Sequence, residues 1–470
     1  MLLGILRGCT ICPDKYKIPP MTAHTSSPTL LDRLIHRALG PVATRDRARA
    51  ARHLLDWLAC SLAAIKFKEA HQFRAALDLP DRPFPAIWYP EVSPQLAALA
   101  DGALGSMLEM DDVHRSAVLH PGPVIVPAAL ATARACRSDV GQLLDSLVRG
   151  YEIMIRLGRA LGLTHYRYWH PTSTCGAFGA AMAAGSIRQL APTAMVWALA
   201  NAGSRTGGMW QMRHEPVPTK AVHTGLTAQS GWLGAALAEQ GFAGPASLLE
   251  GDQGLFAATT STARPDDLLV DDHDWLIHEV SFKPWPACRH AHAAMDALLA
   301  LDPLPRAADI SHIEVGTYRA ALDFCDCPQP TTSGEARFSL QHALASILLR
   351  GRPALAHYDA DQLHQNELQG LRKRITLLVD DASQARFPEH FGAMVRVHLH
   401  DGSRLEARVE DAWGDPEWPL SDRDLATKAS DLLHHAGWRS ERIEHLIETM
   451  LGLADHPHQQ VWPILESLSP

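Results

Sequence analysis

HPTSTCGAFGAAMAAGS, residues 170–186, is the stretch of sequence that decides the fold. Proline at its second position is typical of the first turn of a helix, because the N–H that proline lacks would be unpaired there anyway. The residues that follow are small on nearly every face, although glycine is unfavourable inside an isolated helix. We therefore expect a helix that other helices approach closely.

The surrounding sequence has the same helical character. Residues 26–271 are rich in Ala and Leu, and apolar residues recur at helical spacing, as at Leu54, Leu55, Leu58 and Leu62. Proline and glycine interrupt the pattern at intervals that suit short connections between helices. The pattern predicts a helical domain over 26–271.

A unit of a different kind is predicted over 272–410. Its β-rich segments are Ile310–Tyr318, Ile375–Val379, Ala393–Leu399 and Arg404–Val409, with helices expected at 290–301 and 338–350. Asp401-Gly402 separates the last two segments and is a strong hairpin signal. Residues 411–470 are again helical and amphipathic, so we expect them to pack back on the first domain. The predicted fold class is mainly α, with an inserted α+β domain.

Composition limits the functions that are plausible. The chain has 470 residues and a formal net charge of −9, which argues against a general nucleic-acid binder. Eight cysteines are too sparse for a disulfide framework, and no apolar run is long enough to predict a membrane span. We expect a cytoplasmic protein with no nucleic-acid or membrane partner. Residues 1–25 are predicted to be disordered or a wrongly extended start, because a polar stretch begins at Met21.

Two His-Pro turns, His120-Pro121 and His170-Pro171, each precede a stretch of small residues that is expected to be helical. The N-terminus of a helix offers free N–H donors and a positive dipole end, which together suit a carboxylate. Thr172 and its neighbours add hydroxyl groups and a possible N-cap. A histidine beside such a site could move a proton on a bound acid.

Each of these features also has a structural explanation. A single histidine is usually a hydrogen-bonded structural group, and the chain has 26 of them. Asp111 and Asp112 could bind a divalent cation, or they could be carboxylates at a helix end that fix a neighbouring side chain; we favour the second. His398 and His400 alternate on a hairpin strand and are expected to be solvated. We expect no metal and no cofactor.

Lys220 and Lys283 lie in similar Pro- and Gly-rich contexts, and together with the two turns they favour a functional site. Signatures of serine hydrolases, P-loop NTPases and zincins are missing from the sequence. The order of the polar segments resembles the MmgE/PrpD family over residues 30 to the C-terminus. The pieces that carry the resemblance are EMDDVHRSAVLHPG (109–122), GYEIMIRLGRAL (150–161), HPTSTCGAFGAA (170–181), KAVHTGLTAQSG (220–231), GFAGPASLLEGDQG (241–254), KPWPACRHAHAAMDAL (283–298) and ARFSLQHALA (336–345).

The resemblance implies 2-methylcitrate dehydratase, cis-aconitate decarboxylase or iminodisuccinate epimerase chemistry in a homodimer that requires no metal. It also implies that the α+β domain is a lid and that the site lies in the cleft between the domains. His120, His170, Lys220 and Lys283 match the family's site residues. Cys288 stands where the decarboxylases have a histidine.

The combined hypothesis is a lyase, a dehydratase or a decarboxylase, that moves a proton on a carbon next to a carboxylate of a small di- or tricarboxylate. His120 and His170 would transfer protons, and the two lysines would bind carboxylates, one of them with a pKa low enough to act as the base. The residues expected to bind substrate are Glu109, Asp111, Asp112, Thr172, Arg213, His214, Cys288, Arg289 and His290. An epimerase of an iminodisuccinate-like acid and a non-catalytic polycarboxylate-binding homologue are the alternatives.

Overall fold

The computed structural model describes residues 27–215, 217–272 and 274–468. The chain is mainly α, as predicted, while the expectation for residues 1–25 lies outside the described residues. No helix in the described ranges is both long and apolar enough to cross a membrane. The α-helices are α1 (Leu30–Ala38), α2 (Thr44–Ala64), α3 (Lys68–Ala76), α4 (Pro94–Ser106), α5 (Gly122–Cys136), α6 (Val140–Tyr166), α7 (Pro171–Ile187), α8 (Pro192–Gly203), α9 (Thr219–Glu239), α10 (Leu255–Thr259), α11 (Arg289–Leu299), α12 (Arg319–Cys325), α13 (Ser333–Arg337), α14 (Leu340–Arg350), α15 (Asn366–Arg372), α16 (Asp381–Arg386), α17 (Asp422–His435), α18 (Ser440–Leu451) and α19 (Val461–Ser467).

Helix α7 is the stretch of small residues, and it packs closely against α6 and α9, as predicted. A Cβ added at Gly179 would lie 2.7 Å from the carbonyl oxygen of Gly150 on α6. A Cβ added at Gly231 on α9 would lie 2.2 Å from the Cβ of Ala180. Real Cβ atoms do not approach so closely, so this packing requires glycine at both positions.

Two large hydrophobic clusters divide the buried residues. One runs from Leu31 to Phe282, resumes at Leu420 and includes a single residue, Leu355, from the intervening segment. The C-terminal helices pack back on the first helices, with α17 and α18 against α2. The second cluster runs from Trp285 to Ala412. The division at 26–271, 272–410 and 411–470 stays a prediction.

The second cluster surrounds a four-stranded mixed sheet in the order β2-β1-β3-β4, formed by β1 (Ile310–Thr317), β2 (Ile375–Val379), β3 (Ala393–Leu399) and β4 (Arg404–Val409). Strand β1 is parallel to β2 and antiparallel to β3. The hairpin β3-β4 is confirmed, and Gly402 takes the positive φ of 87° that the turn requires. Helix α11 packs on β3 and β4.

Four connecting segments meet where the two clusters face each other. They are 107–121 before α5, 167–170 before α7, 204–218 before α9 and 281–288 before α11. Val113 and Ser281 form an antiparallel bridge, with N···O distances of 3.0 and 2.8 Å. This bridge ties the segment that carries Glu109 and His120 to the segment that carries Lys283.

Candidate active site

A cavity of about 900 Å³ opens at this meeting point and is lined from both sides. Its walls include nine of the thirteen predicted site residues: Glu109, His120, His170, His214, Lys220, Lys283, Cys288, Arg289 and His290. Asp111, Asp112 and Thr172 lie in contact with these residues without lining the cavity, and the side chain of Arg213 lies outside the described part of the structure. A large cavity with a few converging polar groups is typical of a small-molecule site.

Glu109 and two lysines form the buried ionic centre of the cavity. The Lys220 Nζ donates to both carboxylate oxygens of Glu109, at 2.6 and 2.7 Å. The Lys283 Nζ donates to the backbone carbonyl of Glu109 at 3.0 Å and lies 3.5 Å from the Asp111 Oδ1. Glu109 has a φ of 55°, a left-handed conformation that is unusual for a residue with a side chain. Such strain is common in functional sites.

These contacts argue against Lys220 as the lysine of the pair whose pKa is low enough for it to act as the base. Burial lowers the pKa of Lys220, but attraction to Glu109 and Asp111 outweighs burial and raises it above its ordinary value. Burial raises the pKa of the Glu109 carboxyl, but attraction to Lys220 and Lys283 has the larger effect, so this pKa lies below its ordinary value. Lys220 is therefore a permanent cation, suited to holding a carboxylate or an enolate oxygen.

The imidazole of His120 is held in one tautomer. Its Nδ1 lies 3.0 Å from the Asp111 Oδ2 and 2.9 Å from the backbone carbonyl of Asp112. Because a carbonyl oxygen can only accept, Nδ1 carries the hydrogen and Nε2 holds the lone pair in the neutral ring. Burial lowers the pKa of His120, against the raising effect of Asp111, so the ring is neutral at pH 7. This arrangement leaves a lone pair on His120 Nε2 that could accept a proton.

The Asp112 carboxylate occupies the N-terminus of α5, where the sequence predicted a substrate carboxylate. Its Oδ1 accepts the N–H of Gly122 at 2.8 Å, and its Oδ2 contacts His53 Nδ1 and accepts the Tyr151 hydroxyl, both at 2.7 Å. Burial raises the pKa of Asp112 to about 6, although these hydrogen bonds oppose the shift. The structure thus gives Asp112 an architectural role that anchors the loop carrying Asp111.

His170 closes the opposite wall of the cavity. Its backbone N–H donates to the Gly208 carbonyl at 2.8 Å, and its Nδ1 lies 3.3 Å from the Nδ1 of His223. Burial and the nearby Lys220 hold the pKa of His170 well below its usual range. Its Nε2 is buried without a hydrogen-bond partner among the described residues. An unpartnered buried polar atom in a cavity wall is a sign of a ligand contact.

Thr172 links the two His-Pro turns in place of capping a helix. Its Oγ1 accepts the backbone N–H of His120 at 3.1 Å. The N-cap of α7 is His170, which makes no side-chain cap, so the expected hydroxyl N-cap is wrong. Thr172 therefore fixes the distance between His120 and His170.

Three predicted site residues lie at the start of α11, and their side chains have different surroundings. The Arg289 guanidinium is held by Asp415 at 2.5 Å and by the carbonyls of Ala412 and Trp413, so it anchors the 412–415 loop. His290 Nδ1 lies 2.6 Å from the hydroxyl of Tyr318. Cys288 is the N-cap residue of α11, and hydrogen bonding with Cys325 lowers the pKa of its thiol more than burial raises it.

Sequence reasoning missed three groups in or beside this site. Lys428 on α17 reaches Asp56 Oδ1 at 2.5 Å and the Met110 carbonyl at 2.6 Å, which places a buried ammonium directly behind the loop. His223 pairs with His170, and Arg337 is a buried guanidinium in the cavity wall. No local pattern marks Lys428, although His223 and Arg337 both lie within segments that carried the family resemblance.

Clusters that could hold a metal lie elsewhere in the described ranges. His312, Glu314 and His398 offer ligand atoms within 4.8 Å of one another on the sheet, where Arg396 already donates to Glu314. A second group, His390, Asp411 and Glu417, surrounds the Arg115 guanidinium. Neither group lines the cavity.

The fold and the cavity define a mainly α protein with one candidate small-molecule site, which is lined by His120, His170, Lys220, Lys283 and Glu109. The chain belongs to the MmgE/PrpD family: the family's N-terminal domain matches residues 39–267 and its C-terminal domain matches residues 285–452.

Relatives with named activities agree with this assignment. The chain is 27% identical to a cis-aconitate decarboxylase of Mus musculus, over 77% of this chain and 76% of the relative. It is 24% identical to a cis-aconitate decarboxylase of Aspergillus terreus, over 90% and 91%. A 2-methylcitrate dehydratase of Salmonella typhimurium is 28% identical over a shorter match, 37% of this chain and 34% of the relative.

Proposed function

We propose that this chain is a lyase, a dehydratase or a decarboxylase, that transfers a proton at a carbon next to a carboxylate of a small di- or tricarboxylate, using its own side chains as acid and base. The observation that carries the proposal is the fixed tautomer of His120, whose Nδ1 is engaged by Asp111 and the Asp112 carbonyl. The relatives named as decarboxylase and dehydratase are both lyases, which supports the same reaction class.

His120 Nε2 would take the proton, since a neutral imidazole in a buried site is a suitable base at pH 7. Lys220 and Lys283 would hold the carboxylates and the enolate charge that develops when the proton leaves. Both ammonium groups touch Glu109 or Asp111, so a substrate carboxylate would join an existing network of charges. His170, paired with His223, would deliver a proton to the leaving group or to the product carbon.

Dehydration and decarboxylation reach this carbanion in different ways: in dehydration His120 would remove a proton from carbon, whereas in decarboxylation the electron pair comes from the C–C bond to the departing carbon dioxide. In dehydration, hydroxide leaves from the neighbouring carbon and takes a proton as water. In decarboxylation, carbon dioxide leaves and the electron pair it leaves behind is protonated at carbon. The decarboxylase relatives match over most of their length, which makes decarboxylation of a cis-aconitate-like acid the first reaction to test.

The test is an NMR panel of citrate, 2-methylcitrate, cis-aconitate and iminodisuccinate with the purified full chain. We expect loss of water or carbon dioxide from at least one compound, and loss of turnover by at least about a hundredfold in His120→Gln and Lys220→Met. His400→Gln and Lys373→Met are matched controls, because both side chains are exposed and lie outside the cavity. Epimerisation without loss of a group would replace the lyase assignment, and binding without any reaction would identify a non-catalytic homologue.

We further propose that the α+β unit acts as a lid over the cavity. Residues of both units line the cavity, so a rotation between the units would change its volume and exclude water. Crystals grown with and without a tricarboxylate should differ in the angle between the units. An identical cleft in the two crystals would contradict the lid.

A further inference from the structure

The polar end of the cavity has little net charge. Lys220 and Lys283 face Glu109 and Asp111 at 2.6 to 3.7 Å, so two ammonium groups balance two carboxylates. Arg337 adds one positive charge; its Nη1 donates to a backbone carbonyl at 3.1 Å, while Nε and Nη2 have no hydrogen-bond partner in the described part of the chain. Because buried charges are costly unless they are paired, this end suits a ligand with one or two carboxylates better than one with three.

An aromatic wall continues from the polar end across the cleft. The Trp210 ring centroid lies 4.5 Å from His170 and 6.1 Å from Phe324. The ring of His290 lies 5.0 Å from both Phe324 and Phe391, with both pairs stacked. All five rings line the cavity, and they come from the segments 170–210 and 290–391. The rings of Trp210, Phe324 and Phe391 therefore offer apolar faces beside the residues proposed to react.

The size of the cavity agrees with an apolar group. Cavities of about 300–1,000 Å³ are typical of drug-sized ligands, and this one has a volume of about 900 Å³. In this conformation the cavity has room beside its polar end for a group that extends along the aromatic wall.

The outer part of the cavity disfavours further carboxylates. Two lysines, Lys66 and Lys68, stand there against a larger set of acidic residues: Glu69, Glu215, Asp323, Asp326, Glu335 and Asp359. An additional carboxylate directed outward would meet like charge, whereas an uncharged substituent would not.

We propose that the substrate is a dicarboxylate that bears an apolar alkyl or aryl substituent, with its carboxylates at Lys220 and Lys283 and its substituent along Trp210 and Phe324. The inference rests on the proposed function for the reacting end of the molecule and adds the chemical nature of the remainder. The aromatic wall would then select the substrate by the length of its apolar group.

The test measures affinity for inert analogues by isothermal titration calorimetry with the full chain. The ligands are succinate, methylsuccinate, propylsuccinate, pentylsuccinate and benzylsuccinate, with propane-1,2,3-tricarboxylate as the unsubstituted tricarboxylate. We expect the Kd to fall about fourfold for each methylene that is buried. In Trp210→Ala and Phe324→Ala the Kd should become nearly independent of chain length, while Trp418→Ala, which removes a half-exposed ring outside the cavity, should bind like the wild type.

Two results would overturn the inference: a Kd that does not change with chain length in the wild type, or tightest binding of the tricarboxylate. Having two wall variants keeps the test decisive if one of them fails to fold. The analogues carry no leaving group, so their binding does not depend on catalysis. If the Kd falls with chain length but no acid is turned over, only the proposed function is contradicted. If an acid is turned over but the Kd does not depend on chain length, only this inference is contradicted.

Discussion

Replacing Asp111 by Asn removes the charge that holds His120 and keeps the shape of the side chain. The carboxylate lies 3.0 Å from His120 Nδ1 and 3.5 Å from the Lys283 Nζ, and it is buried. For a carboxylate that fixes a catalytic imidazole, loss of the charge can lower the rate by about 10⁴-fold. Here the Asp112 carbonyl still accepts from Nδ1 at 2.9 Å, so half of the constraint remains. We expect kcat/KM to fall by about 10²–10³-fold, or about 3–4 kcal/mol of transition-state stabilisation.

The same variant has a predicted pH profile. The rate should rise with pH as His120 loses its proton, and burial places the pKa of His120 below its ordinary value. Asp111 raises that pKa, so removal of its charge lowers it further. The acid limb of kcat/KM should therefore move to lower pH in Asp111→Asn, while the plateau falls.

The assay is kcat/KM against pH for the wild type, Asp111→Asn and a control, Asp381→Asn, in which the exposed carboxylate lies outside the cavity. Circular dichroism should first establish that each variant is folded. Wild-type kcat/KM in folded Asp111→Asn, or an acid limb that moves to higher pH, would refute the role given to His120 and Asp111.

Three further predictions concern stability. Gly179→Ala should lower the free energy of unfolding by about 1–3 kcal/mol, because the added methyl would lie 2.7 Å from the Gly150 carbonyl, and calorimetry showing no change would contradict the packing described. Lys428→Met should cost about 3–5 kcal/mol by leaving Asp56 buried without its partner, and an unchanged Tm would argue against the pair. Burial lowers the pKa of His342 from 6.5 to about 4. The stability that this neutral side chain contributes is therefore fully present above pH 6.5 and is lost as the pH falls towards 4, by about 3 kcal/mol at most. His342→Gln should reduce the pH dependence of the free energy of unfolding over that range in denaturant titrations, and an unchanged dependence would contradict the assignment.

Much of the fold could be predicted because local patterns specify it. The small residues of α7 predicted close helix packing, and the Asp401-Gly402 pair predicted the hairpin between β3 and β4. In both cases the local sequence is enough to restrict the structure. The small side chains of α7 let other helices approach closely, and the Asp-Gly pair favours the backbone conformation of a hairpin turn.

The site was predicted only where its residues lie in unusual local sequence. The His-Pro turns and the two lysines were found, and the structure places all four residues around one cavity. Their partners were found only in part: Asp111 and Asp112 were expected to fix a neighbouring side chain, but contacts between distant segments leave no local pattern. Lys428 lies more than 300 residues from the Met110 carbonyl that it contacts, and the choice between Asp111 and Asp112 as the partner of His120 depends on which side of the loop each carboxylate faces.

The errors have the same origin. A free helix N-terminus was expected to bind the substrate, but Asp112 from the preceding loop already accepts the N–H of Gly122. The expectation that Arg289 binds substrate stays a prediction, although its guanidinium also contacts a loop more than 120 residues further along the chain. Sequence indicates which groups are present at a site, while the fold decides which of them remain free.

The most direct test of the central claim is exchange of a substrate proton with solvent. A polycarboxylate turned over by the wild type is incubated in D₂O with the wild type and with folded His120→Gln, and deuterium at the carbon next to the carboxylate is followed by NMR. We expect the wild type to catalyse this exchange, and we expect the exchange rate to be lower by at least about a hundredfold in the variant. Equal exchange by the two proteins would show that His120 is not the base.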